Sequence, residues 1–501
     1  MPVTNATTAA NPPGKPNLVF ILPDRLRQDT SAAYGNDWIQ SPHMDQMASE
    51  SFVFEHCYVT QPVCAPARAS IMTGLYPPTA GMPRNRLVMP AEVQTVAQMV
   101  SDDYKTGYIG KWHLGDEIIK QRGFDEWVSA NDYWWPEYTN PEDQKKFSDY
   151  HESLVAEGYD PEEEHPGGKT FSMEQRSAMP PAQQMASFLA DSAAEFIEQN
   201  SDDPFVLYVS TIEPHPPFAG PFDDMYDSAT LPVDDSFMQS PVESTLFNRM
   251  RAELFSDCVR DGISTATEEG MRQLRANYFG NVKLVDDMLG TILRAIDGAG
   301  IKDNTIVVFT SEHGDMIGTH SMIEMRTPYE EAAQVPLFIR VPWLADQETR
   351  VPGNFSQIDF MPTLLDLLGQ SIPDYLQGES RRGVLEGSED LLGNDVVVQH
   401  NGVGDRDLAM ECDSWAMSDE KLRELNFLNT MPWRSVITAD RWKLNLCAVD
   451  QGELYDLNSD PGEFHNLFDK PEHRERIRRM AARLHLWQAE NGDSAPLPAI
   501  L

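Results

Sequence analysis

An α/β fold, with a mostly parallel central sheet flanked by helices, is predicted by three features of this 501-residue sequence. Short apolar, partly β-branched runs recur along it, helical patterns lie between them, and the runs stop abruptly at proline, histidine or acidic residues. Strands that read as continuous apolar runs are covered on both faces, which is the habit of parallel sheets. Residues 17–22 (NLVFIL) form the first run and end at Pro23-Asp24. Residues 204–212 (PFVLYVSTI) end at EPHPPF, residues 304–311 (NTIVVFTS) at EHGD, and residues 335–341 (VPLFIRV) are a fourth run. Helical patterns over 185–200 and 272–300 precede the second and third runs; the latter has apolar residues at three- and four-residue steps and closes on glycine.

Residues 133–179 are rich in Trp, Tyr, Pro, Glu and Asp without periodicity. They read either as an insertion at the sheet edge over the site or as a plain surface loop. After about residue 385 the pattern changes to short antiparallel strands (RSVITADRWKLNL, GELYDLNSDPGE) and a helix, EHRERIRRMAARLHLWQAENG. The expected organisation is a catalytic domain over 15–385 and a smaller C-terminal α+β subdomain over 386–501.

The chain carries 79 acidic and 39 basic residues, a formal net charge of -40. Nucleic acid and anionic membrane surfaces both need a basic footprint, so neither is an expected partner. An anionic substrate would require the site to reverse this field locally with arginine, lysine, histidine or a metal. The first residues, MPVTNATTAANPPGKPN, lack a basic start followed by an apolar run, so a cytoplasmic protein is expected, or a secreted or periplasmic one if a signal was removed. Five scattered cysteines (Cys57, Cys64, Cys258, Cys412 and Cys447) make no disulfide framework and no zinc spacing.

Ligands of such sheets bind beyond the carboxyl ends of the strands, where Asp24, His215, Glu312 and His313 all fall. Two carboxylates and an imidazole suit a hard divalent cation; an acid and a histidine on a surface loop fit the same spacing. In TGYIGKWHLG, Lys111 and His113 occupy alternate positions and would share a face if extended, a charge clamp beside a proton carrier. A solvent-facing strand end with Trp112 packed inward is the alternative. In QPVCAPARASIMTG, prolines bracket Cys64 and a helix is expected just after it, placing Cys64 in a field that favours anions beside Arg68. A buried turn cysteine would look the same.

Together these segments resemble the sulfatase family. PVCAPARASIMTG resembles the signature in which the Cys of Cys-x-Pro-x-Arg is oxidised to formylglycine, and GYIGKWHLG the second signature. TSEHGDMIGTH with TPYEEAAQVPLFIR resembles the metal-site segment, EPHPPF the His-x-Pro segment, and GELYDLNSDPGEFHNLF the carboxyl-terminal motif. The landmarks keep family order over nearly the whole chain, and DRLRQDT with His313 is similar to the choline sulfatase and phosphonate monoester hydrolase branch.

The resemblance implies an alkaline-phosphatase-like fold and hydrolysis of a sulfate monoester of a sugar, aryl alcohol or small alcohol. It implies a formylglycine at Cys64 made by a formylglycine-generating enzyme, and calcium, with magnesium or manganese possible, at Asp24, Cys64, Glu312 and His313. Arg68, Lys111, His113 and His215 would be catalytic: Arg68 holding the hydrate, Lys111 neutralising charge, His113 taking a proton, and His215 protonating the leaving oxygen or binding sulfate.

Four positions depart from the family: Ala67 stands where the commonest signature has Ser, a position that varies, and the other three bear on the site. Arg25 replaces a metal-binding Asp or Gln and cannot ligate, Glu312 replaces Asp, and Met325 replaces a sulfate-binding Lys beside Arg326. Arg25 and Arg326 are therefore candidate substrate contacts at the anion, and His400 is a further one, with Asn401, Asp405 and Arg406 of the loop 400–415, for sugar hydroxyls; plain solvent-facing polarity fits those four as well. The alternatives are a formylglycine-dependent phosphodiesterase or phosphonate monoester hydrolase, and a catalytically impaired anion-binding relative.

Overall fold

The computed structural model describes residue 12 and residues 14–130, 137–165, 168–171, 178–345, 347–402 and 408–500. Its centre is a nine-stranded sheet. Five strands run parallel in the order Glu126–Ser129, Lys105–Gly110, Phe205–Ser210, Asn17–Ile21, Thr305–Thr310.

The alternation of side chains divides this sheet between two cores. Leu18, Phe20, Val206, Tyr208, Ile306 and Val308 face one way, against Ala69, Met72, Phe360 and Leu364 of the helices Cys64–Thr73 and Phe360–Leu367. Val19, Ile21, Leu207, Val209, Val307 and Phe309 face the other, against the helices Met185–Gln199 and Glu268–Gly298. This is the mostly parallel, helix-flanked sheet expected.

The fourth apolar run departs from that pattern. It is divided at Pro336, which has no N–H for a ladder, into Gln334–Val335 and Leu337–Arg340. Leu337–Arg340 runs antiparallel to Thr305–Thr310, and both pieces run antiparallel to Phe52–Tyr58. Between Thr310 and Gln334 lies only the short helix Glu330–Ala333, and a parallel return needs a longer crossover. Phe52–Tyr58 itself, with Glu55 and His56 interrupting its apolar run, was not legible as a strand.

A second sheet orders Val396–His400, Trp433–Ile437, Trp442–Cys447 and Glu453–Asp456, all antiparallel. Leu444, Leu446 and Leu454 pack on Ile477, Met480 and Leu484 of the helix Arg474–Asn491. Among the described residues no helix is long and apolar enough to cross a membrane.

Candidate active site

The parallel strands deliver the chemistry at their carboxyl ends. Asp24 follows Asn17–Ile21, Lys111 follows Lys105–Gly110, His215 follows Phe205–Ser210, and Glu312-His313 follow Thr305–Thr310. One ligand atom each from Asp24, Cys64, Glu312 and His313 lies within 4.8 Å of all the others. Asp24, Glu312 and His313 are fully buried and Cys64 is 1% exposed. His313 hydrogen-bonds through Nδ1 to the Gly314 carbonyl (2.8 Å) and turns Nε2 to the cluster, 3.3 Å from Cys64 Sγ and 3.3 Å from Glu312 Oε1. Such a backbone partner fixes which ring nitrogen is offered to a ligand. The close approach is open only to glycine at 314, where a Cβ would stand 1.9 Å from the Glu331 carbonyl oxygen.

Burial opposes charge on His313, but the Cys64 sulfur and Glu312 hold its pKa up, at about 10. Burial likewise opposes ionisation of Glu312, and Arg68 and Lys111 outweigh it, holding the carboxyl well below its ordinary value. Asp24 Oδ1 and Glu312 Oε1 are buried oxygens that share the single His313 Nε2, at 3.7 and 3.3 Å, and make no well-formed hydrogen bond. Converging buried oxygens and an imidazole are what a hard divalent cation accepts, so the residues present fit the metal that the family implies.

Cys64 is the first residue of the helix Cys64–Thr73, one position earlier than the sequence suggested, with Val63 extended as its cap. Its place at the helix start favours negative charge. One turn on, Arg68 pairs through Nε with Glu312, and its Nη1 donates to the Lys111 carbonyl (2.7 Å) and to Ser210 Oγ (2.8 Å). The Lys111 ammonium pairs with Asp24 Oδ2. Burial works against the lysine's charge, and Asp24 and Glu312 more than restore it, raising its pKa. Gly110 lets the strand end close on its neighbour: its φ is +113°, and a Cβ there would stand 1.9 Å from the Ser210 carbonyl oxygen.

Lys111 and His113 do not lie on an extended strand. The strand ends at Gly110, and His113 has φ +60°, in the left-handed region. The turn is held by Glu117, whose carboxylate accepts the N–H groups of Trp112 (2.7 Å) and His113 (2.5 Å). His215 hydrogen-bonds through Nδ1 to the Pro216 carbonyl (2.8 Å), and its Nε2 meets Nη2 of Arg25 at 3.1 Å. Burial, then the Arg25 charge, push the His215 pKa well below its usual value. It is therefore neutral near pH 7, with an Nε2 lone pair that accepts from Arg25.

The three candidate substrate contacts have protein partners. Arg25 bridges Asp315 (3.1 Å) and Glu324 (2.8 Å). Arg326 lies 3.2 Å from Glu411 and 3.7 Å from Glu324, while the adjoining Met325 is buried and its carbonyl accepts from Arg251 (2.5 Å). His400, at the end of Val396–His400, is buried, stacks on Trp433 and contacts the Asn429 carbonyl at 3.4 Å. Asn401 donates to Gln61 (2.8 Å), and Asp405 and Arg406 lie outside the described residues. Part of the insertion 133–179 lies outside them too.

Ser210, Glu117, Asp315, Glu324 and Glu411 were not singled out from the sequence. Each works through a partner distant along the chain or a backbone turn, and in so acidic a chain the carboxylates carry no local signal.

A family model described as Sulfatase matches residues 16–370. The ulvan-active sulfatase of Formosa agariphila is 28% identical, with 96% of this chain and 82% of that protein covered. Among solved structures, one holding its substrate D-glucosamine-2-N,6-O-disulfate superposes with a TM-score of 0.76 at 21% identity, over 96% of this chain and 99% of that one. The phosphonate monoester hydrolase of Silicibacter pomeroyi also reaches 0.76, at 22% identity over 95% and 96%.

Proposed function

The chain belongs to the sulfatase family and is a sulfuric ester hydrolase, and from that premise we propose that it cleaves a sulfate monoester of a saccharide with a formylglycine made from Cys64. The observation that carries this reading is Cys64 itself, at a helix start, against His313 and within one cluster with Asp24 and Glu312. A thiol is a poor reagent for sulfur in an ester. The aldehyde hydrate that a formylglycine-generating enzyme would create there offers one hydroxyl to attack sulfur and a second to expel the sulfate. A divalent cation, calcium by family resemblance, would be held by Asp24, Glu312, His313 and residue 64 and would offset charge on the sulfuryl oxygens. The saccharide assignment is supported by the name of the ulvan-active relative and by the disulfated glucosamine bound in a neighbour of the same fold.

The chain's own residues then divide the work. Arg68 fixes the approach to position 64 through Glu312 and Ser210. Lys111, held cationic, stands where negative charge develops, which is how preorganised donors lower a barrier. His113 is the proton acceptor proposed for release of the sulfate. Protonating the leaving oxygen through His215 would require a proton on Nε2 against the charge of Arg25. The state built here suits His215 better to orienting Arg25 beside the sulfate.

The test is peptide mass spectrometry across Cys64 after coexpression with a formylglycine-generating enzyme, followed by turnover of aryl sulfate, phosphate diester and phosphonate. Conversion of the thiol to the aldehyde with preferred sulfate hydrolysis is expected. An unmodified thiol beside a converted control sulfatase would overturn the reading, and preferred phosphonate cleavage would move the chain to the neighbouring activity.

A further inference from the structure

Glu117 is buried, 2% exposed, and both its carboxylate oxygens are spent on backbone N–H groups, those of Trp112 and His113. These are two consecutive donors of the turn that leaves the strand Lys105–Gly110. A histidine with φ +60° is unfavourable relative to glycine and persists only where its surroundings over-determine it. Glu117 is that determinant on one side of the turn. On the other, the Lys111 carbonyl accepts from Arg68 Nη1 and from the Tyr108 hydroxyl. Lys111, aimed at Asp24, and His113 are thereby clamped between one carboxylate and two donors.

We propose that Glu117 is a positioning residue for sulfate-ester cleavage, holding the Lys111–His113 turn in the one shape that presents the lysine to Asp24 and the histidine in its left-handed conformation. The inference rests on the roles given above to Lys111 and His113. It accounts for a carboxyl buried at a site that must bind an anion: burial pushes its pKa up to about 7, while the Trp112 and His113 N–H groups, and after them the charges of Lys111 and Arg68, favour the ionised form.

Glu117→Gln keeps the size of the side chain but turns one acceptor into an amide donor opposite an N–H. Glu117→Asp keeps both acceptors on a shorter arm. The wild type and both variants would be matured, their formylglycine content and metal content measured, and kcat and KM for 4-nitrophenyl sulfate expressed per matured site. The expected result is a kcat about 10- to 100-fold lower for Glu117→Gln with KM little changed, and a smaller loss for Glu117→Asp, as misplacement of reacting groups by a fraction of an ångström to one ångström predicts.

A merely structural acid would lower the melting temperature and the yield of matured protein, and leave kcat per matured site at the wild-type value. That result overturns the proposal. If Glu117→Gln does not fold, Glu117→Asp decides alone, a wild-type kcat overturning it. A matured wild type that turns over no sulfate ester is a different failure: it removes the hydrolytic reading on which the proposal rests, and the proposal with it.

Discussion

Replacing Lys111 by methionine keeps most of the side-chain volume and removes its charge. The ammonium and its partner Asp24 are both fully buried. In metal-stripped protein the substitution takes from the buried Asp24 carboxylate its closest cation, leaving His313 Nε2 at 3.7 Å, and breaking a buried pair from one side costs about 3–5 kcal/mol. At about 2.1 cal/mol/K of unfolding entropy per residue, a chain of this length loses about 1 kcal/mol per degree, so Tm should fall by about 3–5 °C. The double variant Asp24→Asn with Lys111→Met removes both charges and should recover about 2 kcal/mol, a coupling read directly from the double-mutant cycle. Saturating calcium gives Asp24 another cation, so the cost of Lys111→Met should shrink when metal is present. In the matured enzyme kcat should fall about 10²–10³-fold, the usual loss when a preorganised donor is removed from a developing anion. Calorimetry of chelated protein decides the matter. A metal-free Lys111→Met melting within about 1 °C of wild type, or a double variant showing simple additivity, would refute the reasoning.

Three further outcomes are expected. Gly110→Ala forces a Cβ toward the Ser210 carbonyl, so it should cost about 1–3 kcal/mol and lower kcat through the Ser210–Arg68 contact; wild-type melting and turnover would count against that close approach. Chelation should lower Tm and added calcium restore it in a concentration-dependent way, by about 2.7 kcal/mol at a hundredfold excess over Kd; indifference to every divalent cation tested would count against the metal site. His400 is pulled by burial from 6.5 to about 3, so between those values the unfolded chain binds a proton that the fold refuses, and stability drops as pH falls through that window. His400→Phe keeps a ring on Trp433 and should flatten that acid limb in urea melts without changing kcat; an unaltered limb would assign the acid sensitivity elsewhere.

Much of the site was legible because its residues sit where apolar runs stop. Asp24, His215, Glu312 and His313 were found that way, and the strands and helices preceding them formed as read, since covered strands are continuous in hydrophobicity. What escaped depends on partners far apart in the chain. Arg25 reads as a contact for the substrate anion until Asp315 and Glu324 meet it, and Glu117 as one more surface acid until the turn at Trp112 closes on it. The extended reading of Lys111 and His113 failed because a two-residue alternation holds only inside a strand, and the strand stops one residue before Lys111.

Gln357, buried just after the strand Thr349–Ser356, gives its two amide protons to the carbonyls of Ser311 (3.0 Å) and Glu312 (2.9 Å) and takes the N–H of Thr60 (3.2 Å) on its oxygen. The segment leading to Cys64 and the segment bearing Glu312 and His313 are thus pinned to a common post. Neither can retreat on its own. The extra methylene of Glu312, where the family resemblance implies an aspartate, therefore cannot be absorbed by letting the backbone back away; it has to be taken up within the side chain, whose far end lands on Arg68. A swap that looks conservative on paper is here a change of address for the carboxylate, and any return to aspartate would have to renegotiate its contact with Arg68.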